Sequence, residues 1–171
     1  LITRHTLAEI ESAPRILVAE DNLINQKLTV RILEKLGYQS DVVENGQEAL
    51  AALARGSYAL VLMDCQMPIV DGFEATKLLR QREATDQESA APDSYETRHI
   101  PIVALTANGM RGDRERCLAA GMDDYLTKPI RKDDLKGVLE RWISPSVHPP
   151  FTYPNDTERR KNGPSTEATP V

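Results

Sequence analysis

Short runs of apolar residues alternate along the chain with stretches in which apolar residues recur at helical spacing. The short runs are enclosed by polar residues and predict five buried strands, at residues 16–19, 41–43, 58–63, 100–105 and 125–127. The periodic stretches predict five helices, with inward faces marked by Leu28 and Ile32, Ala49 and Leu53, Ala75 and Leu79, Cys117 and Leu118, and Leu135 and Leu139. Such strict alternation requires crossover connections, so the pattern predicts a doubly wound α/β fold around a five-stranded parallel sheet.

Three segments depart from this pattern. Residues 81–99 are polar and lack a clear apolar period, which predicts an enlarged loop between the third helix and the fourth strand. Residues 144–171 hold six of the eleven prolines and few aliphatic residues, which is typical of a disordered, proline-rich tail or linker. Residues 1–14 are too short to bury a face of their own and are interpreted as a linker from a preceding region. The domain proper therefore spans residues 15–143.

Charge and composition narrow the function classes. Lys and Arg total 21 against 26 Asp and Glu, and no segment forms a basic stripe, so we expect no nucleic-acid binding. No apolar run approaches the roughly 18 residues that span a bilayer, so we expect no membrane contact by this segment. Cys65 and Cys117 lie far apart and outside any CxxC motif, which argues against a disulfide framework or a zinc site and favours the cytoplasm.

Polar residues that could take part in binding or catalysis follow four of the predicted strands. Glu20 and Asp21 follow the first strand, Asp64 the third, Thr106 the fourth and Lys128 the fifth. Each alone has a plain alternative, as a turn former, a helix cap or a solvated charge. Because the carboxyl ends of parallel strands share one edge, these side chains should converge there, at the usual ligand site of such sheets. Clustered carboxylates resist joint ionisation without a cation, and Mg²⁺ prefers oxygen ligands, so a magnesium site is predicted.

Four ordered motifs carry a resemblance to a known family: ILVAEDN at 16–22, LMDCQMP at 62–68 with Asp71-Gly72 beyond it, ALTA at 104–107 and YLTKPI at 125–130. Over residues 15–143 they resemble the receiver domain of response regulators in two-component and phosphorelay signalling, which has a flavodoxin-like (βα)5 fold. The Glu-Asp-Asn form of the first motif, with Asn25 and Gln26 after it, looks most like receivers of bacterial hybrid sensor histidine kinases.

The resemblance implies a role for each candidate residue. Asp64 would be the phosphoacceptor, Lys128 would neutralise charge on the phosphoryl group, and Thr106 and Tyr125 would be the switch residues. Asp21 and Asp64 would bind Mg²⁺, or Mn²⁺ in its place, together with the backbone carbonyl of Gln66, and Glu20 would act mainly through water. Gln66 and Asn108 would set the lifetime of the phosphoryl group. The Lys128–Pro129 peptide bond would be cis.

The resemblance also implies partners. Phosphoryl groups would arrive from a histidine kinase dimerisation domain or a histidine phosphotransfer domain and leave to the latter, and phosphorylation would alter the face formed by helix 4, strand 5 and helix 5. The fragment would catalyse its own phosphorylation and dephosphorylation as a monomer or weak dimer. Its parent would be a cytoplasmic or inner-membrane-anchored histidine kinase. Two alternatives are a phosphorylation-independent docking module, which the intact acid, Thr106 and Lys128 set disfavours, and a phosphohydrolase, for which a second catalytic acid is lacking.

Overall fold

The computed structural model describes residues 14–89, 99–107 and 111–143. Strands and helices alternate throughout: β1 (Arg15–Ala19), α1 (Leu23–Lys35), β2 (Gln39–Val43), α2 (Gly46–Arg55), β3 (Leu60–Asp64), α3 (Gly72–Ser89), β4 (Ile102–Thr106), α4 (Arg111–Ala120), β5 (Asp124–Thr127) and α5 (Lys132–Ile143). None of the described helices is long and apolar enough to cross a bilayer. The predicted linker at 1–14 lies almost entirely outside the described residues, as does the predicted tail at 144–171.

The strands form one parallel sheet in the order β2-β1-β3-β4-β5. Its register pairs Ala19 with Met63, Asp64 with Leu105 and Thr106 with Thr127, so that the strands end almost level with one another. The predicted five-stranded, doubly wound architecture is therefore confirmed. The order reverses between β1 and β3, which is where such sheets open a crevice for ligands.

Apolar residues of each strand alternate between two cores, one on each face of the sheet. Leu17, Val61 and Ala104 point towards α2, α3 and α4, whereas Ile16 and Leu62 point towards α1 and α5. Helices cover both faces of the sheet and neighbouring strands flank its inner strands, which explains why β3 and β4 are buried along their whole length.

Polar side chains and glycines fix the helix ends. The Asn22 side chain accepts hydrogen bonds from the backbone N–H groups of Ile24 and Asn25 and so caps α1. Gly37 and Gly121 follow α1 and α4 with φ of 86° and 98°, as predicted for residues that end helices in the left-handed conformation. The Asn22 cap places the amino end of α1 beside the carboxyl end of β1.

The prediction of a loop over residues 81–99 was wrong for its first half, because α3 continues to Ser89. The apolar period ends at Leu79, but Gln81, Arg82, Glu83 and Ala84 are good helix formers and no glycine or proline interrupts them. Residues 90–98 lie outside the described part of the chain.

Arg80 fastens this extension of α3 to the amino-terminal edge of the sheet. Its guanidinium donates to Glu83 Oε2 and Asp123 Oδ2, each at 2.7 Å, and to the carbonyl oxygens of Gly121 and Ile100. Asp123 Oδ1 also lies 2.6 Å from Nε2 of His99. One side chain thus joins α3, the segment before β4 and the α4–β5 turn.

Candidate functional site

The predicted strand-end residues meet in one pocket at the carboxyl edge of the sheet. Glu20, Asp21, Asp64, Thr106 and Lys128 all line a cavity of about 250 Å³. The structure thereby confirms the convergence that the strand order implied.

Three carboxylates form the floor of this pocket. One oxygen each from Glu20, Asp21 and Asp64 can be chosen so that all lie within 4.8 Å of one another. Glu20 is 0% exposed and Asp64 3% exposed, whereas Asp21 faces solvent. Glu20 is oriented by α1: its Oε1 accepts hydrogen bonds from the backbone N–H of Asn22 at 3.1 Å and from Nδ2 of Asn25 at 3.2 Å.

Lys128 supplies a positive charge directly to two of these carboxylates. Its Nζ lies 2.8 Å from Glu20 Oε2 and 2.7 Å from Asp64 Oδ2. Burial alone would lower the pKa of Lys128, but its contacts with Asp64 and Glu20 outweigh burial and raise that pKa. The Lys128–Pro129 peptide bond is cis, as the family resemblance implied. Lys128 therefore remains a cation in the cleft.

Asp64 ends β3 and is held from both sides. Its Oδ1 accepts a hydrogen bond from the backbone N–H of Gln66 at 3.0 Å, and its Oδ2 faces Lys128. Burial raises the pKa of Asp64 above its usual value and Glu20 adds to this effect, although Lys128 and the Gln66 amide oppose it. The carboxylate is thus poorly solvated and directed into the pocket.

The donor set fits a hard divalent cation. Three carboxylates and one ammonium leave the cleft with surplus negative charge. Lys128 balances part of this charge, with its Nζ 2.8 Å from the buried Oε2 of Glu20 and 2.7 Å from Asp64 Oδ2. The three clustered carboxylates still carry more charge than one ammonium can balance, and a hard cation that takes oxygen ligands suits the surplus. The acids therefore have the chemistry and spacing of a Mg²⁺ site.

The remaining predicted residues lie around this cluster. Thr106 is buried at the end of β4, in the same pocket, and the exposed Gln66 forms part of the rim. Tyr125 is half-buried on β5 and packs against the core beneath α4. Asn108 lies outside the described residues, so its predicted role stays a prediction.

Sequence reasoning missed three residues of the pocket wall: Phe73 from α3, and Asp113 and Arg116 from α4. Phe73 lies in the first turn of α3, directly after the Asp71-Gly72 motif. Nothing in the sequence signals that Arg116 reaches the pocket, because this depends on how α4 packs beside α3.

Comparison with known proteins places this site in context. The response regulator receiver domain model matches residues 16–140. Hybrid signal transduction histidine kinase B of Dictyostelium discoideum is 45% identical over 125 residues, which are 73% of this chain and 6% of that protein. The chain thus spans only a small part of this curated relative.

Two solved structures are similar in both sequence and fold. The receiver domain of the sensor histidine kinase PA1611 from Pseudomonas aeruginosa, which holds a magnesium ion in its active site cleft, is 40% identical with a TM-score of 0.64; the match covers 77% of this chain and 98% of that one. The second is the co-crystal structure of the Saccharomyces cerevisiae histidine phosphotransfer protein Ypd1 and the receiver domain of its downstream response regulator Ssk1. The matched chain is 32% identical with a TM-score of 0.68, and the match covers 77% of this chain and 89% of that one.

Proposed function

This chain belongs to the response regulator receiver domain family, and on that premise we propose that it accepts a phosphoryl group from phosphohistidine on Asp64 in a phosphorelay. The observation that carries the proposal is the buried Asp64 carboxylate, which faces Lys128 at 2.7 Å inside a cleft of further acids. Phosphoryl transfer is catalysed mainly by positioning and by charge neutralisation, and this cleft offers both.

The proposed reaction needs only one nucleophile from this chain. An oxygen of Asp64 attacks the phosphorus of the phosphohistidine, the phosphorus–nitrogen bond breaks, and its electron pair leaves with the imidazole nitrogen. The product is an acyl phosphate on Asp64. The hydrogen bond from Gln66 N–H fixes one carboxylate oxygen, which leaves Oδ2 beside Lys128 to react.

Bound Mg²⁺ would neutralise negative charge on the phosphoryl oxygens during transfer. We assign its ligands to the side chains of Asp21 and Asp64 and to the backbone carbonyl of Gln66, with Glu20 acting mainly through water. Mn²⁺ would suit the same oxygen ligands. The burial of Glu20 Oε2 and the spacing of the three carboxylates support this assignment.

Phosphorylation is proposed to bias a two-state equilibrium. The Thr106 hydroxyl binds the new phosphoryl oxygens, and Tyr125 rotates into the space that Thr106 leaves. These movements alter the surface formed by α4, β5 and α5. Gln66 and Asn108 are proposed to set how long the acyl phosphate lasts.

The phosphodonor is proposed to be a protein that docks beside the pocket. Leu23 and Ile24, in the first turn of α1, are 59% and 77% exposed, and Ile69 in the β3–α3 loop is 74% exposed. These apolar side chains adjoin Asn22 and Pro68, which line the pocket and its outer rim. A histidine kinase dimerisation domain or a histidine phosphotransfer domain would bury them, in keeping with the Ypd1 complex of the yeast relative. The parent protein is proposed to be a cytoplasmic or membrane-anchored hybrid histidine kinase.

Intact mass after incubation with phosphoramidate or acetyl phosphate tests the function. We expect a phosphoryl adduct that hydroxylamine removes, that requires Mg²⁺, and that is absent from Asp64→Asn but present in Asp86→Asn, an exposed acid on α3. An unmodified wild-type protein, folded and supplied with Mg²⁺, would contradict phosphoacceptor function towards small donors. If a phosphorylated phosphotransfer domain then also fails to transfer its phosphoryl group to the protein, the phosphorylation-independent docking module becomes the better description.

The docking surface needs a separate measurement. Ile24→Glu should slow transfer from a phosphorylated histidine phosphotransfer domain while leaving the reaction with acetyl phosphate unchanged. An equal loss with both donors would show that Ile24 acts on the pocket itself and not on docking.

A further inference from the structure

Arg116 is a second cation of the pocket wall. It lies on α4, lines the same cavity as Asp64 and Lys128, and is exposed to solvent. Among the residues that the structure describes, no carboxylate lies within 4.0 Å of its guanidinium. Its charge is therefore available to a ligand.

Phe73 holds this guanidinium in place. The Arg116 Cζ atom lies 4.8 Å from the centroid of the Phe73 ring, which is cation–π distance. Phe73 itself packs partly into the core and follows Gly72, whose backbone touches the Asp64 carbonyl so closely that an added Cβ would lie 2.1 Å from it. The ring thus positions Arg116 relative to the residue that receives the phosphoryl group.

The charge balance of the pocket indicates a role for Arg116. Glu20, Asp21, Asp64 and Asp113 line it as acids, and of its two cations Lys128 is already paired with Glu20 and Asp64. A phosphoryl donor brings further negative charge, which Lys128 and a bound Mg²⁺ would not offset by themselves against four carboxylates. A partly exposed guanidinium at the entrance reduces this repulsion and suits phosphate oxygens through its planar set of donors.

We propose that Arg116 is a phosphodonor-binding residue, whose guanidinium, held against Phe73, binds the anionic phosphoryl group of the donor at the pocket entrance before transfer to Asp64. The inference rests on the proposed function of Asp64 and adds a residue from α4 to it. Because Arg116 acts on the donor before the reaction, its loss should weaken donor binding and leave the maximal rate of phosphorylation largely unchanged.

The rate of Asp64 phosphorylation against acetyl phosphate concentration, at saturating Mg²⁺ on the full chain, tests this role. We expect Arg116→Gln to raise the half-saturating donor concentration roughly 1.5-fold to fivefold, which is the range for a solvent-exposed ion pair. The difference should shrink at high salt. Arg116→Lys should recover part of the loss because it keeps the charge, and Phe73→Leu should reproduce part of it.

The matched control is Arg55→Gln, which removes the same charge from the exposed end of α2, at the opposite edge of the sheet. Equal half-saturating concentrations for the Arg116→Gln and Arg55→Gln proteins would overturn the inference, and so would a fall in maximal rate alone. If these variants react normally, Asp64 still functions and only the role of Arg116 fails. A wild-type protein that takes no phosphoryl group from acetyl phosphate or phosphoramidate would instead refute small-donor phosphoacceptor function and this role together.

Discussion

Replacing Asp64 with asparagine should stabilise the metal-free protein. At an effective dielectric constant of about 20, the attraction between Asp64 and Lys128 at 2.7 Å amounts to about 6 kcal/mol. Repulsion from Glu20 and Asp21, each within 4.8 Å, amounts to about 3.5 kcal/mol apiece. These terms nearly cancel, so the desolvation of a buried carboxylate decides the sign. Lys128 keeps Glu20 as its partner in the variant, and desolvation costs several kcal/mol per buried ion, so we expect the variant to gain about 2 kcal/mol.

The pH dependence follows from the raised pKa of Asp64. An acid whose pKa is higher in the folded protein than in the unfolded chain destabilises the fold when it is charged, at pH values above the folded pKa. The advantage of Asp64→Asn should therefore be full at pH values above the folded pKa and decline as the pH falls from the folded pKa to the lower pKa of the unfolded chain.

Urea denaturation in EDTA, followed by fluorescence of the single tryptophan, Trp142, measures the effect. Asp86→Asn on the exposed face of α3 is the control and should change stability by less than about 0.5 kcal/mol. Adding Mg²⁺ at 100 times its Kd should stabilise the wild type by about 2.7 kcal/mol and the variant less, which would remove or reverse the difference. An Asp64→Asn protein less stable than wild type in EDTA at neutral pH would refute the reasoning.

Three further predictions concern the surroundings of the site. Gly72→Ala should lower the free energy of unfolding in urea by more than about 3 kcal/mol, because its Cβ would meet the Asp64 carbonyl. Gly137→Ala has open space around its Cβ and should raise this free energy by about 0.5–1 kcal/mol, so equal effects of the two substitutions would contradict the prediction. Contact with Cys117 and burial raise the pKa of Cys65, and both thiols are buried. A disulfide reagent should therefore label neither cysteine before the protein unfolds, and fast labelling of the folded protein would contradict this prediction. Arg80→Ala should lower the free energy of unfolding by about 2–3 kcal/mol, because Glu83 and Asp123 lose their partner, and the double variant with Asp123→Ala should cost less than the sum.

Elements with a strong apolar pattern were predictable from the sequence, and elements stabilised by distant contacts were not. The strand ending in Asp64 stands out because its apolar run is buried on both faces, and strand order alone then brings Glu20 and Lys128 to the same edge. The last turns of α3 are polar on all sides, so no period marks them. They are held by Arg80 through groups some 20 to 43 residues away, a pairing that no local pattern encodes.

Contacts between helices were equally hidden. The sulfur atoms of Cys65 and Cys117 lie 3.8 Å apart although 52 residues separate them, and the sequence suggested only that the cysteines were distant. The stacking of Arg116 on Phe73 likewise depends on the packing of α4 beside α3. Side-chain proximity of this kind follows from tertiary packing, after the topology is set.

The Arg80 anchor also makes the receiver a convenient host for protein engineering. It secures the chain on both sides of residues 90–98, through Glu83 on α3 and the carbonyl of Ile100 before β4, at the edge of the sheet opposite the carboxylates. A reporter domain or affinity tag grafted between these flanks would leave Arg80 joining them, at the edge of the sheet opposite Asp64.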